Sequence, residues 1–545
     1  MIKLGISAFY HDSAACITNG NLVLAAAEEE RFTGIKHDSS FPINAIKWLL
    51  RSTVTDISQI QEIHWYENPE TKDDRVKTIF NKRPIRTFFL RQRYKKDRKN
   101  NSPENLLKNL GYTGKIIYHD HHHSHSAFSY YTSPYRDAAI LTVDGVGEWE
   151  TTTISKGEGK KIKKLTSIDF PNSLGMLYST ITSYLGFKPN EGEYKVMGLA
   201  PYAKNEYSIR LYNDVFKNIL KVKNCKVIHK QRPKNLFNYL LDRTNKYRFD
   251  NIAGAVQILV EKISSELINQ ISKKYKINTF SISGGVSMNI KMNKRLVSEK
   301  CAKKIYVAPT GTDESLSIGA CYFLNKYKNK YLKNIYLGQA ISEETLTKTK
   351  LRRVLNKNFI IKTKVSHKEI AKLLKSGEIV AVARGREEFG ARALGNRSIL
   401  ANPSVNGIVQ KINEQIKNRD FWMPFALTIQ HEKHKEFIMN KKSIDCDFMT
   451  IGFDTVKKNY NKIKNGTHPY DKSVRPQILK KDFNKNYHSI IEEFRKLTKI
   501  PALLNTSLNL HGMPISSQID DILNTFKNSD LQYLYLEDDI LIKKS

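Results

Sequence analysis

Four short apolar runs in this chain each end in a polar or glycine-rich turn, and that recurrence restricts the fold more than any other feature. "IKLGISAF" leads into "YHDSAA". "AAILTVDGVG" (138–147) ends in Asp144-Gly145. "TFSISGGVSMN" (279–289) ends in Gly284-Gly285 and feeds a helix, and "KIYVAPTGTDESLSIGACYFL" (304–324) reads strand, loop, helix. Apolar runs bounded by turn residues and followed by helical pattern indicate buried strands of an α/β fold. Glycine at such a strand end lets backbone N–H groups and a helix N-terminus approach phosphate. "AACIT", "NGN" and "LVLAAAEEE" read as a β-hairpin, because Asn-Gly suits a type I′ turn.

At 545 residues the chain is too long for one core. A lysine- and turn-rich stretch around 325–365 marks the expected boundary, with domains at 1–345 and 346–545. Beyond it lie "EIVAVARGREEFGARALGNRSILANP" (378–403) and "KIPALLNTSLNLHGMPI" (499–515). No run of about 18 apolar residues is present, so no membrane span is expected. The start reads as a strand rather than a signal peptide. Five scattered cysteines without a C-x-x-C argue against a disulfide framework and for a reducing cytoplasm.

The net charge of +35 could attract nucleic acid or a membrane surface. No nucleic-acid-binding motif accompanies it, so such a partner is not expected, and the charge equally suits an enzyme handling several phosphates. The run "NKRPIRTFFLRQRYKKDRKN" (81–100) reads as a solvated helix or loop and is the best polyanion candidate.

The segment "YHDHHHSHSAF" (118–128) holds five histidines. Residues four apart share a helix face, which admits two pairs: His119 with His123, and His121 with His125. Such a pair is a two-ligand unit for zinc, iron or manganese once carboxylates join it, and Asp144 and Asp313 stand at strand ends. Histidine and carboxylate without thiolate favour a catalytic site over a structural one.

Arg384, Arg386, Arg392 and Arg397 crowd one loop with Gly385, Gly390 and Gly395. Guanidiniums bind phosphate bidentately, while Glu387 and Glu388 offer the alternative of plain salt bridges. Lys417, Arg419 and Arg475 add cations, and Asn505, Thr506, Ser507 and Asn509 form a polar cluster fit for a small ligand or a capped turn. His11, after the first strand, could serve as a general base or a phosphate contact, and Lys36 is similar.

Together "YHDSAACITNGNLVLAAAEEERFTGIKHD", "HHHSHSAFSYYTSPYRDAAILTVDGVGEWETT", "EGEYKVMGLAPY", "SGGVSMNIKMN", "GTDESLSIGA", "GREEFGARALGNRSIL" and "LLNTSLNLHGMPI" resemble the NodU/CmcH-type O-carbamoyltransferases, in order from about residue 3 to 516. The resemblance implies an α/β architecture: a duplicated ribonuclease-H-like domain of the actin/sugar-kinase/heat-shock-ATPase type, then a YrdC-like domain. It implies that the second domain makes carbamoyl-adenylate from carbamoyl phosphate and ATP, with magnesium, releasing pyrophosphate. The first would pass the carbamoyl group to a hydroxyl of a small acceptor such as a sugar, releasing AMP, with the help of iron(II) or another divalent metal.

Carried over by position, the metal ligands are His121, His125, Asp144 and Asp313, and His11 and Lys36 lie near the transferred group. Ser283, Gly284, Gly285 and Asn289 match a nucleotide-binding loop. Arg392, Lys417, Arg475 and Ser507 match carbamoyl-phosphate and adenylate contacts. The chain departs from the family in having Met423 where many members have arginine, so either Arg419 or a neighbour substitutes or the carbamoyl donor is bound differently. A tRNA threonylcarbamoyl-type transferase and a non-catalytic basic binding protein on the same scaffold are the competing readings.

Overall fold

The computed structural model describes residues 1–81, 88–322, 332–341, 351, 355 and 358–545. The expected boundary at 345/346 falls outside these residues. The strands β1 (Ile2–Ser7), β2 (Ala14–Asn19), β3 (Leu22–Glu28), β4 (Glu62–Trp65) and β5 (Lys115–Tyr118) form one sheet in the order β3-β2-β1-β4-β5. A second sheet takes β6 (Asp137–Val143), β7 (Glu150–Glu158) and β8 (Lys161–Asp169). A small hairpin of β9 (Leu220–Lys223) and β10 (Lys226–His229) intervenes before β11 (Thr279–Ser283) and β12 (Lys304–Val307) complete it, in the order β12-β11-β6-β7-β8.

The two sheets have the same plan. In each, the first three strands are antiparallel and the last two run parallel to the first. This is a ribonuclease-H-like unit occurring twice, as expected from the sequence. The first strand of each unit is almost wholly buried, which accounts for the near-continuous apolar runs.

The two units meet through the helices His121–Tyr131 and Ser315–Tyr322. A Cβ on Gly319 would lie 2.0 Å from the Ser124 carbonyl oxygen, so only glycine permits this close crossing. The crossing carries the histidine segment up to the loop that holds Asp313.

The C-terminal half is built on an eight-stranded mixed sheet. Its strands are β13 (Phe359–Lys362), β14 (Val380–Ala383), β15 (Arg397–Ala401), β16 (Ala426–Gln430), β19 (Pro476–Leu479), β20 (Ala502–Ser507), β21 (Tyr533–Leu536) and β22 (Ile540–Lys544), with the short pair β17 (Phe453–Asp454) and β18 (Ser473–Val474) beside it. The sheet order is β13-β22-β21-β14-β15-β20-β16-β19. No helix among the described residues is long and apolar enough to cross a membrane.

The halves are joined by buried polar contacts. Arg386 donates to the carbonyls of Leu24 and Gly338, each at 3.0 Å. Asn293 Nδ2 donates to the Thr450 carbonyl at 2.7 Å, and His468 Nε2 lies 2.8 Å from the Gly198 carbonyl.

Candidate functional site

The helix bearing the histidines begins at His121, with Asp120 at its N-cap position. His119 therefore precedes the helix, and the His119/His123 pair shares no helical face. His119 instead stacks on His64, ring centroids 5.1 Å apart. His122 is fully buried with neither ring nitrogen bonded, and burial brings it down to about 3.

His121 and His125 meet Asp144, just after β6, and Asp313, just after β12. His121 Nε2 lies 3.1 Å from Asp144 Oδ2 and 3.7 Å from Asp313 Oδ1, and His125 Nε2 lies 3.8 Å from Asp313 Oδ1. All four residues are buried, and one ligand atom from each falls within 4.8 Å of the others. Gly285 N–H donates to Asp144 Oδ1 at 3.0 Å, and Ser315 Oγ stands 3.5 Å from His125 Nδ1. These contacts orient the candidate ligands from behind.

The donor set fits a divalent cation. His125 Nε2 and Asp313 Oδ2 are buried without a hydrogen-bond partner, an arrangement that costs about 1–3 kcal/mol per atom unless a ligand uses it. Burial pushes Asp313 up to about 6 against the pull of His11 and His121. Burial would lower His121, but Asp313 and Asp144 hold it up to about 9. Two imidazoles and two carboxylates without thiolate suit iron(II), manganese or zinc.

His11 Nε2 is 3.9 Å from Asp313 Oδ2, and its Nδ1 is 2.8 Å from Asp12 Oδ2. Asp12 also receives His37 Nδ1 at 2.5 Å, so one carboxylate orients two imidazoles. Although burial opposes it, Asp313 and Asp12 hold His11 up to about 10. Asp12 and His37 are site residues that the sequence reading missed.

The glycine loop after β11 lies against this cluster. Gly284 has φ +87° beside Val143, a conformation and a contact that demand glycine. Ser283 Oγ donates to the His125 carbonyl at 3.0 Å, and Asn289 caps the helix Ile290–Ser298 and bonds Gln257. The side chains of Ser283 and Asn289 are thus occupied within the fold, and the loop offers chiefly its backbone.

In the C-terminal half, Arg392, Lys417, Arg419 and Arg475 converge. Lys417 Nζ donates to Ser507 Oγ at 3.1 Å and Asn509 Oδ1 at 2.6 Å, and Arg419 Nη2 donates to Thr506 Oγ1 at 3.0 Å. None of the four cations forms an ion pair with a described residue, and Arg392 Nε is buried without an acceptor. Burial, with Arg392 and Arg419 adding to it, depresses Arg475 well below the guanidinium range. Burial, then Arg419 and Lys36, does the same to Lys417. Lys417 is buried and the three arginines are half-buried, and such cations with no counter-charge of their own form a receptor for a polyanion. Thr506 and Asn509 complete it, and the polar cluster of "NTSLN" already signalled them.

The arginine loop corrects one expectation, since three of its four guanidiniums are structural. Arg397 is fully buried and donates to the carbonyls of Arg384 (2.8 Å), Gln339 (3.0 Å) and Ser517 (3.1 Å). Arg386 joins the domains, and Arg384 pairs with Asp538 at 2.7 Å. Only Arg392 belongs to the cation cluster. Glu388 bonds the backbone N–H groups of Leu394 and Asn396, at 2.7 and 2.8 Å, rather than the arginines. Met423 packs at the domain junction, where a Cβ on Gly198 would lie 3.1 Å from its sulfur.

The His/Asp group that could hold a metal and the cation cluster are within electrostatic reach of each other. Lys36, from the N-terminal half, acts electrostatically on Lys417, and Glu314, next to Asp313, acts on Arg392. Residues 2–322 match the family model for the carbamoyltransferase N-terminus, and residues 371–544 match that for the C-terminus. A protein of Synechocystis is 31% identical over 599 residues, covering 99% of this chain and 96% of that one. Nodulation protein NolNO of Sinorhizobium fredii is 28% identical, covering 98% of this chain and 79% of that protein. Among solved structures, component A of the Acidaminococcus fermentans (R)-2-hydroxyglutaryl-CoA dehydratase covers 60% of this chain and 98% of its own, with TM-score 0.34 and 13% identity. Full-length HypF in its phosphate- and nucleotide-bound form covers 60% of this chain and 55% of its own, with TM-score 0.33 and 14% identity. The matches along both halves assign this chain to the carbamoyltransferase family.

Proposed function

We propose that the chain is an ATP-dependent O-carbamoyltransferase acting in the cytoplasm, with a YrdC-like C-terminal domain as the activating half. Carbamoyl phosphate and Mg·ATP would bind at Arg392, Lys417, Arg419, Arg475 and Ser507. Loss of inorganic phosphate from carbamoyl phosphate to water leaves carbamate, whose oxygen attacks the α-phosphorus of ATP. Pyrophosphate departs and carbamoyl-adenylate remains. The observation that carries this reading is the group of four cations without counter-charge, which matches the charge accumulating on the phosphates.

His121, His125, Asp144 and Asp313 would hold iron(II) or another divalent cation, which when bound supplies a Lewis acid for the carbamoyl oxygen. Lys36, whose charge reaches Lys417, positions the adenylate as it passes. The acceptor hydroxyl attacks the carbamoyl carbon, AMP leaves, and His11 Nε2 takes the hydroxyl proton. His11 can do so once the carboxylate field that keeps it protonated is offset by a bound cation. Asp12 fixes the ring through Nδ1.

The test is carbamoyl-phosphate-dependent conversion of ATP to AMP and pyrophosphate by the full chain. Pyrophosphate release that does not require carbamoyl phosphate, or none at all with metal-loaded protein, would refute the proposal.

A further inference from the structure

The connection from β4 to β5 carries the helices Pro69–Asn81 and Phe88–Asn100. The first is tied to the site at its base. Asn68 N–H donates to Glu148 Oε1 at 2.8 Å, and the same oxygen accepts the His121 N–H at 3.1 Å. One turn further on, Trp149 Nε1 donates to Asp74 Oδ2 at 3.1 Å. These bonds hold the helix Pro69–Asn81 beside His121 and the loop after β6.

Between residues 69 and 100 the chain has twelve lysines and arginines against four acidic residues. Two of those acids are engaged, Asp73 by the Tyr94 hydroxyl at 2.5 Å and Asp74 by Trp149. Glu67, just outside, is engaged by Lys72 at 2.7 Å. Arg75 differs: it is partly buried, its Nε is closed off from solvent without an acceptor, and it pairs with no described residue. Arg91 Nε is likewise buried and unbonded, although Nη2 donates to Asn81. Tyr10, whose ring lies 5.0 Å from that of His11, is within electrostatic reach of Asp144, Asp313 and Arg75. Arg75, next to the Asp74 that Trp149 holds, is therefore close to the residues around His121. A guanidinium kept partly desolvated and unpaired is suited to a phosphate oxygen.

We propose that the hydroxyl acceptor is anionic: a sugar bearing a phosphate or pyrophosphate group, which Arg75 holds while a sugar hydroxyl reaches His11. The proposal rests on the carbamoyl-transfer reading above. The excess positive charge of the helix Phe88–Asn100 would speed capture of such an acceptor and make it salt-sensitive.

The experiment offers radiolabelled carbamoyl phosphate, ATP and metal-loaded protein to a panel of hexoses. Each hexose is given free, as its 1-phosphate and as its uridine diphosphate conjugate, with bulk tRNA in a separate arm. Label is expected in a phosphorylated member, the 1-phosphate and diphosphate arms separating the two anion sources. Arg75→Ala is expected to raise its KM about 10- to 100-fold, with partial recovery in Arg75→Lys. A free sugar accepted as well as its phosphorylated counterpart, label in tRNA, or no acceptor labelled while pyrophosphate release persists would overturn the proposal. Absence of carbamoyl-phosphate-dependent pyrophosphate release would instead indict the reading beneath it.

Discussion

Glu28, the last residue of β3, accepts the backbone N–H of Gly390 at 2.6 Å across the junction between the halves. Arg31 bonds the same carboxylate at 2.6 Å and donates to the Gly390 carbonyl at 2.9 Å. One N-terminal ion pair thus holds both polar groups of a C-terminal glycine two residues before Arg392. Gly390 has φ +102°, so its backbone suits glycine alone. Burial already pushes Glu28 up to about 7, and Arg31→Ala removes the cation that opposes this and both bonds of the pair, a loss of about 3–5 kcal/mol. Denaturant unfolding of the variant should show that loss, and Arg31→Lys should recover only part of it.

The metal assignment separates neighbouring histidines. His121→Ala and His125→Ala should each abolish stoichiometric metal in the purified protein by elemental analysis, whereas His123→Ala should retain it. Gly147→Ala gives an orthogonal check, because its Cβ would lie 2.5 Å from His121 Cγ and must displace that ring. Metal loss in His123→Ala with retention in His121→Ala would reject the assignment.

Much of this site is legible in sequence because strand ends are local. Asp144, Gly284 and Asp313 each follow an apolar run, and β-sheet order brings those ends together. Asp120 before His121 is a helix-start signal that could have excluded His119 without a structure. Spacing cannot show which guanidinium of "RGREEFGARALGNR" faces a ligand, since four arginines on an irregular loop point four ways. Nor can it reveal contacts such as Glu148 with Asn68 or Glu28 with Gly390, where burial rather than motif sets the role.

The junction also carries a pH-sensitive pair. Asp471 bonds Lys291, from the helix Ile290–Ser298, and Ser473 at 2.7 Å. Burial would raise its carboxyl, but Lys291 and Ser473 hold it down to about 2. A carboxylate depressed on folding stabilises the native state above its ordinary value near 3.8 and loses that effect as pH falls towards 2. Because the side chain is 34% exposed, solvent screening reduces the contribution to about 1 kcal/mol. Asp471→Asn should therefore unfold at lower urea than the parent at pH 6, with the difference shrinking at pH 3.

The cation cluster sets stability against function. Arg475 is half-buried beside Arg392 and Arg419 and pairs with no carboxylate among the described residues, so in the absence of ligand it destabilises the fold. Arg475→Met should raise the unfolding midpoint of the ligand-free protein by the equivalent of about 1 kcal/mol while lowering carbamoyl-phosphate-dependent pyrophosphate release at least about 100-fold. Pyrophosphate added to the parent should stabilise it in proportion to the logarithm of its concentration, and added to the variant should do so far less. A variant both less stable and unchanged in its response to pyrophosphate would show that Arg475 packs against the fold rather than receiving the anion.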